Sequence, residues 1–456
     1  MHSFCLFGRS WRVVCCLAFL LAAIVLLPPP VWSAELVVNP YEGVDWTAFT
    51  QHRANLHTHT TESDGDSSPD VVIDKYHEMG YTILAITDHN NCTWPWQDWE
   101  RDPAALGMVA IAGNEASRHH HLNSFFVDYE TDSTDTVQTI EEVGAAGGLV
   151  LINHPGRYWD LTDEDEVPAA AVAEYAGLLD TYDYIPGIEF VNSFNRYPHD
   201  RALWDALLAE MMPERPVWGF ANDDLHFVGF AGLAWNTFLL DSLSPETVRA
   251  AIEEGRFYSS SIRTFLPADA VNIPVINAIE HDAQAGTITI SAVSSGAPLP
   301  AEACEWIANG EVVHVGPVLD YANTPGIGNY VRAELAGSGG FTFTNPFGFR
   351  VEPDRHTADQ DGDGQVSLSE LLRVVQFYDA GGYHCAPTPG ETEDGFLVGA
   401  GAAHGCAPHA SDYSPQDWTI ALGELLRLVQ FYNLGGCYPC PDAGSEDGYC
   451  FDAPVN

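Results

Sequence analysis

The chain is 456 residues long, with 18 Lys+Arg against 64 Asp+Glu, a formal net charge of −46, and Lys75 as its single lysine. That charge repels nucleic acid and anionic membrane surfaces, so no nucleic-acid partner is expected. The length accommodates two or three domains, one with a sizeable core.

At the N-terminus, Arg9 and Arg12 precede the apolar run 13–27, which is followed by Pro28, Pro29 and Pro30 and the small residues Ser33 and Ala34. This is the pattern of a secretory signal peptide over 1–34. The run is shorter than the roughly 20 apolar residues a spanning helix needs, so no stable membrane span is expected. The expected location is extracellular or at the cell surface, or periplasmic in a cell with an outer membrane. Five of the seven cysteines after this leader (Cys385, Cys406, Cys437, Cys440 and Cys450) lie beyond residue 380, which suits a disulfide-stapled tail in an oxidising compartment. Cys437 and Cys440 have zinc-knuckle spacing but no second pair, which favours a structural disulfide.

From about 50 to 265, β-branched runs alternate with amphipathic stretches. Strands are expected at 81–87, 108–113, 123–127, 148–153, 187–191 and 217–221, and helices at 69–79, 134–146, 169–179 and 201–211. Repeated strand–helix units imply a parallel α/β sheet, open or closed into a barrel, whose strand ends converge on one face. A trail of histidines and carboxylates follows those ends: His57, His59 and Asp64, then Asp88-His89, Glu115, the run His119-His120-His121, Asn153-His154-Pro155, and Asp223-Asp224-Leu225-His226. Imidazole and carboxylate are the ligand set for Zn, Mn or Fe, and the number of candidates exceeds what one ion can use. Neighbouring strand residues face opposite ways, so of the three consecutive histidines His119 and His121 share a face. Asp88 and Asp223 suit roles orienting ligands, and Glu189, which ends a strand near the site but matches no ligand position, suits a supporting role behind the ligands or a substrate contact. Arg118, Arg157 and Arg196 are candidates to grip an anion, Arg157 foremost because it follows His154 closely.

These motifs (HxH, TDH, a Glu after the third strand, NHP and a closing DxH, in that order) resemble the PHP (polymerase and histidinol phosphatase) superfamily over about 55–226. The resemblance implies a distorted seven-stranded β/α barrel with a trinuclear metal centre. Carried over, the first metal takes His57, His59, Glu115 and Asp224. The second shares Glu115 and adds His121 and His154, with His119 the alternative to His121. The third takes Asp64, His89 and His226. These nine residues would be both ligands and catalytic machinery, Arg157 a substrate contact, and the ions divalent Zn, Mn or Fe.

From 266 to 352, alternating segments at 286–293, 311–315, 330–335 and 340–344, split by Gly, Pro and Asn, suggest a β-sandwich-like module packed on the barrel. From 353 to 456 there is an internal repeat: the helical run 369–378 recurs at 423–432, with Leu368, Leu371, Leu372, Val375 and Tyr378 matched by Leu422, Leu425, Leu426, Val429 and Tyr432. Each stripe is expected to pack on the other. The first copy opens with Asp359, Asp361, Asp363, Gln365, Ser367 and Glu370 at the spacing of an EF-hand calcium loop, with Gly364 at its turn. A loop with only its exiting helix resembles a dockerin repeat, which implies a small α-helical calcium-binding domain with a cohesin-like or cell-surface partner. In the second copy, counting back from Glu424 puts Tyr413 at the first ligand position, with Pro415 and Trp418 in awkward places.

The function expected is a secreted metal-dependent phosphoesterase acting on a small-molecule or exported ester. The alternatives are a hydrolase of other esters, carbamates or amides, and a non-catalytic calcium-dependent surface or scaffold protein.

Overall fold

The computed structural model describes residues 34–159, 167–194, 196–263, 272–351, 355–386, 392, 394–404, 406, 408–440 and 445–451. The expected leader lies outside them, apart from Ala34. Among the described residues no helix is long and apolar enough to cross a membrane.

In chain order, β1 (Ala34–Val38) and β2 (Thr50–Asn55) precede α1 (Pro69–Glu78), β3 (Tyr81–Ala85), α2 (Pro103–Leu106), β4 (Val109–Ile111), β5 (Glu115–Ala116) and β6 (Leu122–Phe125). There follow α3 (Thr136–Ala145), β7 (Leu149–Ile152), α4 (Ala169–Thr181), β8 (Gly187–Asn192), α5 (His199–Met211) and β9 (Trp218–Asn222). Then come β10 (Ala234–Leu240), α6 (Pro245–Glu254) and β11 (Phe257–Ile262). Local chemistry sets these boundaries. Asp135 caps α3 by accepting from Val137 and Gln138 N–H. Ser244 caps α6, Pro245 opens it, and Gly255 at φ 72° closes it.

These strands form two sheets. In one, β11–β10–β2–β3–β4 are neighbours, with β2–β3–β4 parallel and β10 antiparallel to both β2 and β11. In the other, β5–β6–β7 are antiparallel and β7–β8–β9 parallel. The sheets share one core: Ala54, Ile83 and Val109 of the first pack with Phe125, Leu151 and Phe220 of the second. The backbone ladder therefore does not run around one closed seven-stranded ring. Gly113 marks the break between β4 and β5. A Cβ there would lie 1.9 Å from the Ser124 carbonyl oxygen, so only glycine lets the chain approach that closely. Across the other seam, side chains replace ladder bonds. Asn236 accepts from Ala221 N–H (3.0 Å) and donates to Ala221 O (2.9 Å), Asn222 accepts from Leu56 N–H (3.1 Å), and Asn123 donates to Leu56 O (3.0 Å). Buried backbone groups need partners, and asparagine supplies a donor and an acceptor together.

The β-rich segment comprises β12 (Val275–Asp282), β13 (Thr287–Ser294), β14 (Ala297–Pro298), β15 (Cys304–Ala308), β16 (Glu311–Val315), β17 (Val318–Asp320), β18 (Tyr330–Ala336), β19 (Gly340–Thr344) and β20 (Phe347–Val351). It has two layers, but one of them continues the first sheet: β19 pairs with β11 from Tyr258↔Thr344 to Ile262↔Gly340, and β18, β20 and β1 follow. The other layer is β12–β13–β14 with β17. Ile276, Ile279, Ile288 and Leu319 from it pack against Trp306, Val331, Leu335 and Phe347.

The C-terminal segment holds α7 (Leu368–Asp379), the hairpin β21 (Tyr383–Cys385) and β22 (Phe396–Val398), α8 (Leu422–Leu434), and the hairpin β23 (Tyr438–Pro439) and β24 (Tyr449–Cys450). Disulfides Cys385–Cys406 and Cys440–Cys450 staple it, and Cys437 stays free and buried. The two helices meet, but not through the stripes expected. Leu371, Val374 and Phe377 are buried with Leu428 and Phe431, whereas Leu368, Leu372, Tyr378, Leu422, Leu426 and Tyr432 are exposed. The rotation has a cause in Glu370. Its carboxylate turns inward to accept from Gln360, Asp361 and Ser367 N–H, so the helix face carrying it must face the loop. Glu424 does the same for Tyr413, Ser414 and Ala421.

The repeat register also needs correction. Asp412, not Tyr413, stands where Asp359 stands: Asp359 accepts from Asp363 and Gly364 N–H, and Asp412 from Asp417 and Trp418 N–H. The second loop is one residue longer, which simple counting back cannot detect. Trp418 therefore adopts the left-handed conformation of Gly364, at φ 66° against 75°.

His356 and His409 occupy equivalent places at the start of the two repeats, both buried, their rings 6.0 Å apart. Burial pushes His356 down to about 4 despite Asp447 and with Arg427 opposing its charge. It pushes His409 down to about 3, with His356 and Arg373 adding to burial and Asp394 opposing it. A folded-state value below the free value of 6.5 means the unfolded chain takes up protons first. Stability is then full above about 6.5 and lost as pH falls toward 4, at up to about 1.4 kcal/mol per pH unit for each histidine. Hydrogen exchange of α7 and α8, corrected for intrinsic rates, should show protection falling from pH 7 to pH 5 in the native chain. The fall should be much smaller in the double variant His356→Asn, His409→Asn, whose amide oxygens can still accept from Ala358 and Ser411 N–H.

Candidate metal centre

The centre is built from strand ends and the loops leaving them. His57 and His59 follow β2, His89 follows β3, Glu115 opens β5, His121 precedes β6, His154 follows β7, and Asp224 and His226 follow β9. Asp64 comes from the loop after β2 and is 53% exposed, whereas His57, His59, Glu115 and His154 are buried. Two isolated bridges, Thr58↔Leu225 and His89↔Glu115, draw the loops of the two sheets together.

Glu115 is the hub. Its Oε1 lies 3.2 Å from His57 Nε2, 2.9 Å from His121 Nδ1 and 3.3 Å from His154 Nε2. Its Oε2 lies 3.5 Å from His59 Nε2 and 2.9 Å from His89 Nδ1. Asp224 Oδ1 stands 3.3 Å from His57 Nε2 and 3.2 Å from His59 Nε2. Asp64 Oδ2 sits 3.4 Å from His89 Nε2 and 3.3 Å from His226 Nε2. All nine residues named from the motifs therefore share one site. Metal-sized ligand groups form at His57, His59 and Glu115, at His89, Glu115 and His121, at His59, Asp64, His89 and His226, and at His57, His154 and Glu189. His59 and His89 thus each reach a neighbouring group beyond the one expected of them.

The donor set fits divalent ions. Among buried atoms without a hydrogen-bond partner are His57 Nε2, both His59 nitrogens, His89 Nδ1, Glu115 Oε2 and His154 Nδ1. Buried polar atoms cost free energy unless something pairs with them, and of these His57 Nε2, His59 Nε2 and His89 Nδ1 lie 3.2, 3.5 and 2.9 Å from Glu115 oxygens, distances a cation would bridge. Two of the residues also hold unusual backbone: His154 at φ 29° and Asp224 at φ 48°. Non-glycine residues adopt such angles only where surrounding structure imposes them. Electrostatics match. Burial raises the Glu115 carboxyl, but His57, His121 and His154 outweigh it and hold the group well below the usual range. Burial lowers His57, but Glu189, Glu115 and Asp224 outweigh it and hold the imidazole well above its usual value.

Of the three consecutive histidines, His121 reaches the centre. His119 instead bonds Thr139 Oγ1 (2.9 Å), and His120 bonds Tyr175 OH (2.8 Å) and stacks on Tyr158. Tyr158 OH accepts from His121 N–H at 2.8 Å, a support the sequence did not signal. Asp88 and Asp223 do not touch the ligand rings. Asp88 accepts from Thr60 N–H and from the hydroxyls of Thr60, Ser63 and Thr93, tying down the loop after β2. Asp223 accepts from Tyr76 OH and from Gly232, Leu233 and Ala234 N–H. A cavity of about 230 Å³ opens over the centre, lined by seven of the nine residues with Arg157 and Arg196. Among them is Asp224, whose Oδ2 lies 3.7 Å from Arg196 Nη1. Arg118 is turned away, paired with Asp132 at 2.5 Å. The acidic calcium-type loop forms a separate group of Asp359, Asp361 and Glu370.

No protein-family profile matches the chain, and no curated protein matches it. Solved structures to which the chain is similar include a two-domain protein from Bacteroides vulgatus containing a predicted PHP-like metal-dependent phosphoesterase, at 16% identity over 69% of this chain and 98% of that one, TM-score 0.38. An amidohydrolase from Chromobacterium violaceum is 17% identical over 38% of this chain and 87% of that one, TM-score 0.28. The lesion-specific endonuclease EndoQ from Pyrococcus furiosus is 15% identical over 45% and 56% respectively, TM-score 0.30. These are distant likenesses, and the chemistry of the site rests on its own geometry.

Proposed function

We propose that the protein is an exported metal-dependent hydrolase, a phosphoesterase of PHP type. Its leader is 1–34, its catalytic unit 50–265, its β-rich unit 266–352 and its calcium-binding repeat 353–456. The observation that carries the reading is the crowding of five imidazoles around the buried Glu115 carboxylate, with Asp64, Asp224 and His226 completing the ring. Bound Zn, Mn or Fe ions would supply Lewis acidity, bringing the pKa of water toward neutrality and neutralising charge on the ester oxygens. His57, His59, Glu115 and Asp224 would hold one ion, Glu115 with His121 and His154 a second, and Asp64, His89 and His226 a third.

The chain's own part is binding and orientation. Arg157 and Arg196 line a cavity otherwise walled by histidines and carboxylates. Guanidinium groups recognise phosphate through paired N–H donors, and this favours a phosphate ester over a neutral carbamate or amide. Export is supported by the charged-then-apolar leader and by two disulfides in the C-terminal repeat. N-terminal sequencing of the exported product should read a start near 33–35.

The tail reading rests on the Asp359 loop, where three backbone N–H groups meet one carboxylate and Asp361 and Glu370 stand close by. Asp359, Asp361, Asp363, Gln365, Ser367 and Glu370 would surround one Ca²⁺. The paired exposed leucines Leu368 and Leu372, Leu422 and Leu426 suit a cohesin-like or cell-surface partner.

His57→Ala and Asp224→Ala should each lower turnover of chromogenic phosphomonoesters by well over about tenfold, with melting temperatures near the metal-free wild type. Activity above about one-tenth in both variants would sink the hydrolase reading, and activity on carboxyl esters or amides alone would redirect it. For the tail, calcium should protect 355–451 from limited proteolysis relative to chelator. Asp359→Ala with Glu370→Ala should erase that protection and leave turnover unchanged. Equal digestion with and without calcium would make the loop an ordinary acidic turn.

A further inference from the structure

Glu189 stands on β8, fully buried, and matches none of the motif positions. Its two oxygens meet four donors. Oε1 accepts from His57 Nδ1 at 3.0 Å and from Asn222 Nδ2 at 3.1 Å. Oε2 accepts from His154 N–H at 3.2 Å and from Asn192 Nδ2 at 3.0 Å. The Asn222 orientation follows from its other contacts, since its Oδ1 accepts from Leu56 N–H and Asn236 Nδ2. An ionised carboxylate only accepts, so the imidazole nitrogen facing it must carry a proton. Nε2 faces Glu115 Oε1 at 3.2 Å and Asp224 Oδ1 at 3.3 Å, so with Nδ1 committed as a donor to Glu189, Nε2 is the nitrogen whose proton a cation at that point would displace.

We propose that Glu189 is a positioning residue for the metal centre: it fixes the Nδ1–H tautomer and the ring plane of His57, so that Nε2 is ready for a cation. The same carboxylate restrains the backbone of His154, where φ is 29°. One buried carboxylate thus holds the ring of one residue and the backbone of another, assigned to adjacent ions. Outer carboxylates of this kind typically matter by about 10–100-fold in metal affinity. The inference rests on the metal-dependent reading proposed above, and the test separates the two.

Zinc affinity would be measured on the full chain by competition with a chromophoric chelator at fixed pH. Four proteins are needed: wild type, Glu189→Met, His57→Ala and the double variant. Glu189→Met should weaken the tightest zinc by about 10–100-fold. In the His57→Ala background the same change should cost less than about threefold, because the ring through which Glu189 acts is gone. Glu189→Gln, which keeps an oxygen opposite His57 Nδ1, should recover most of the affinity lost in Glu189→Met. A merely structural role predicts instead a full loss in both backgrounds. Should Glu189→Met not fold, ¹⁵N-histidine spectra of zinc-loaded wild type decide the matter, with the His57 signals assigned by their absence in His57→Ala. A protonated Nδ1 supports the proposal, and a protonated Nε2 overturns it. Unchanged zinc affinity in a folded Glu189→Met overturns this inference alone. A wild type that binds no zinc, manganese or iron overturns the metal reading and this inference together.

Discussion

Everything in the α/β half of the molecule depends on keeping one carboxylate, Glu115, charged in a buried place. Moving an ionised carboxylate out of water costs several kcal/mol even after relaxation. Five imidazoles face its two oxygens within 3.5 Å, and they hold its pKa well below the usual range against the opposing effect of burial. Those imidazoles come from four separate loops of two sheets, so the charge is stable only if the loops stay together. A divalent ion would add further positive charge at the same point.

The scaffold answers that demand with polar groups inside the core. The two sheets do not close on each other by a continuous ladder, and buried asparagines 123, 222 and 236 carry the seam instead. Three further buried carboxylates, Asp88, Asp223 and Glu189, each collect four donors and anchor a different piece of the site. A half-satisfied network of this kind would cost more than an apolar core, but here each anchor is filled. The strained backbone at His154 and Asp224 fits the same logic, because surrounding bonds hold conformations the residues would not choose alone.

The cluster was legible in the sequence because its members stand at the ends of apolar runs, where imidazole and carboxylate are conspicuous. Supporting groups were less visible. Glu189 was noticed near the site, but that it faces His57 Nδ1 and the His154 backbone could not be read from the strand it sits in. Strands β10 and β11 escaped notice because every residue in them is buried, Asn236 and Ser259 through Ser261 included. Neither period-two alternation nor a clean apolar run survives when polar side chains face a polar core. The join between α/β and β-rich segments was equally hidden, since β11–β19 pairing is a long-range choice. In the tail the repeated helices were plain, but their buried face was misjudged. The inward turn of Glu370 and Glu424 exposes leucines that periodicity alone would bury, and a single extra residue shifts Asp412 out of the counted register.

The account stands on ions held by Glu115 and the imidazoles around it. Anomalous X-ray scattering from crystals of the protein loaded with zinc or manganese tests this directly. Ions bridged by Glu115 and liganded by His57, His59, His121, His154 and Asp224 at about 2.0–2.3 Å are the result the account predicts. Full-occupancy crystals with no anomalous peak within reach of Glu115 would contradict it.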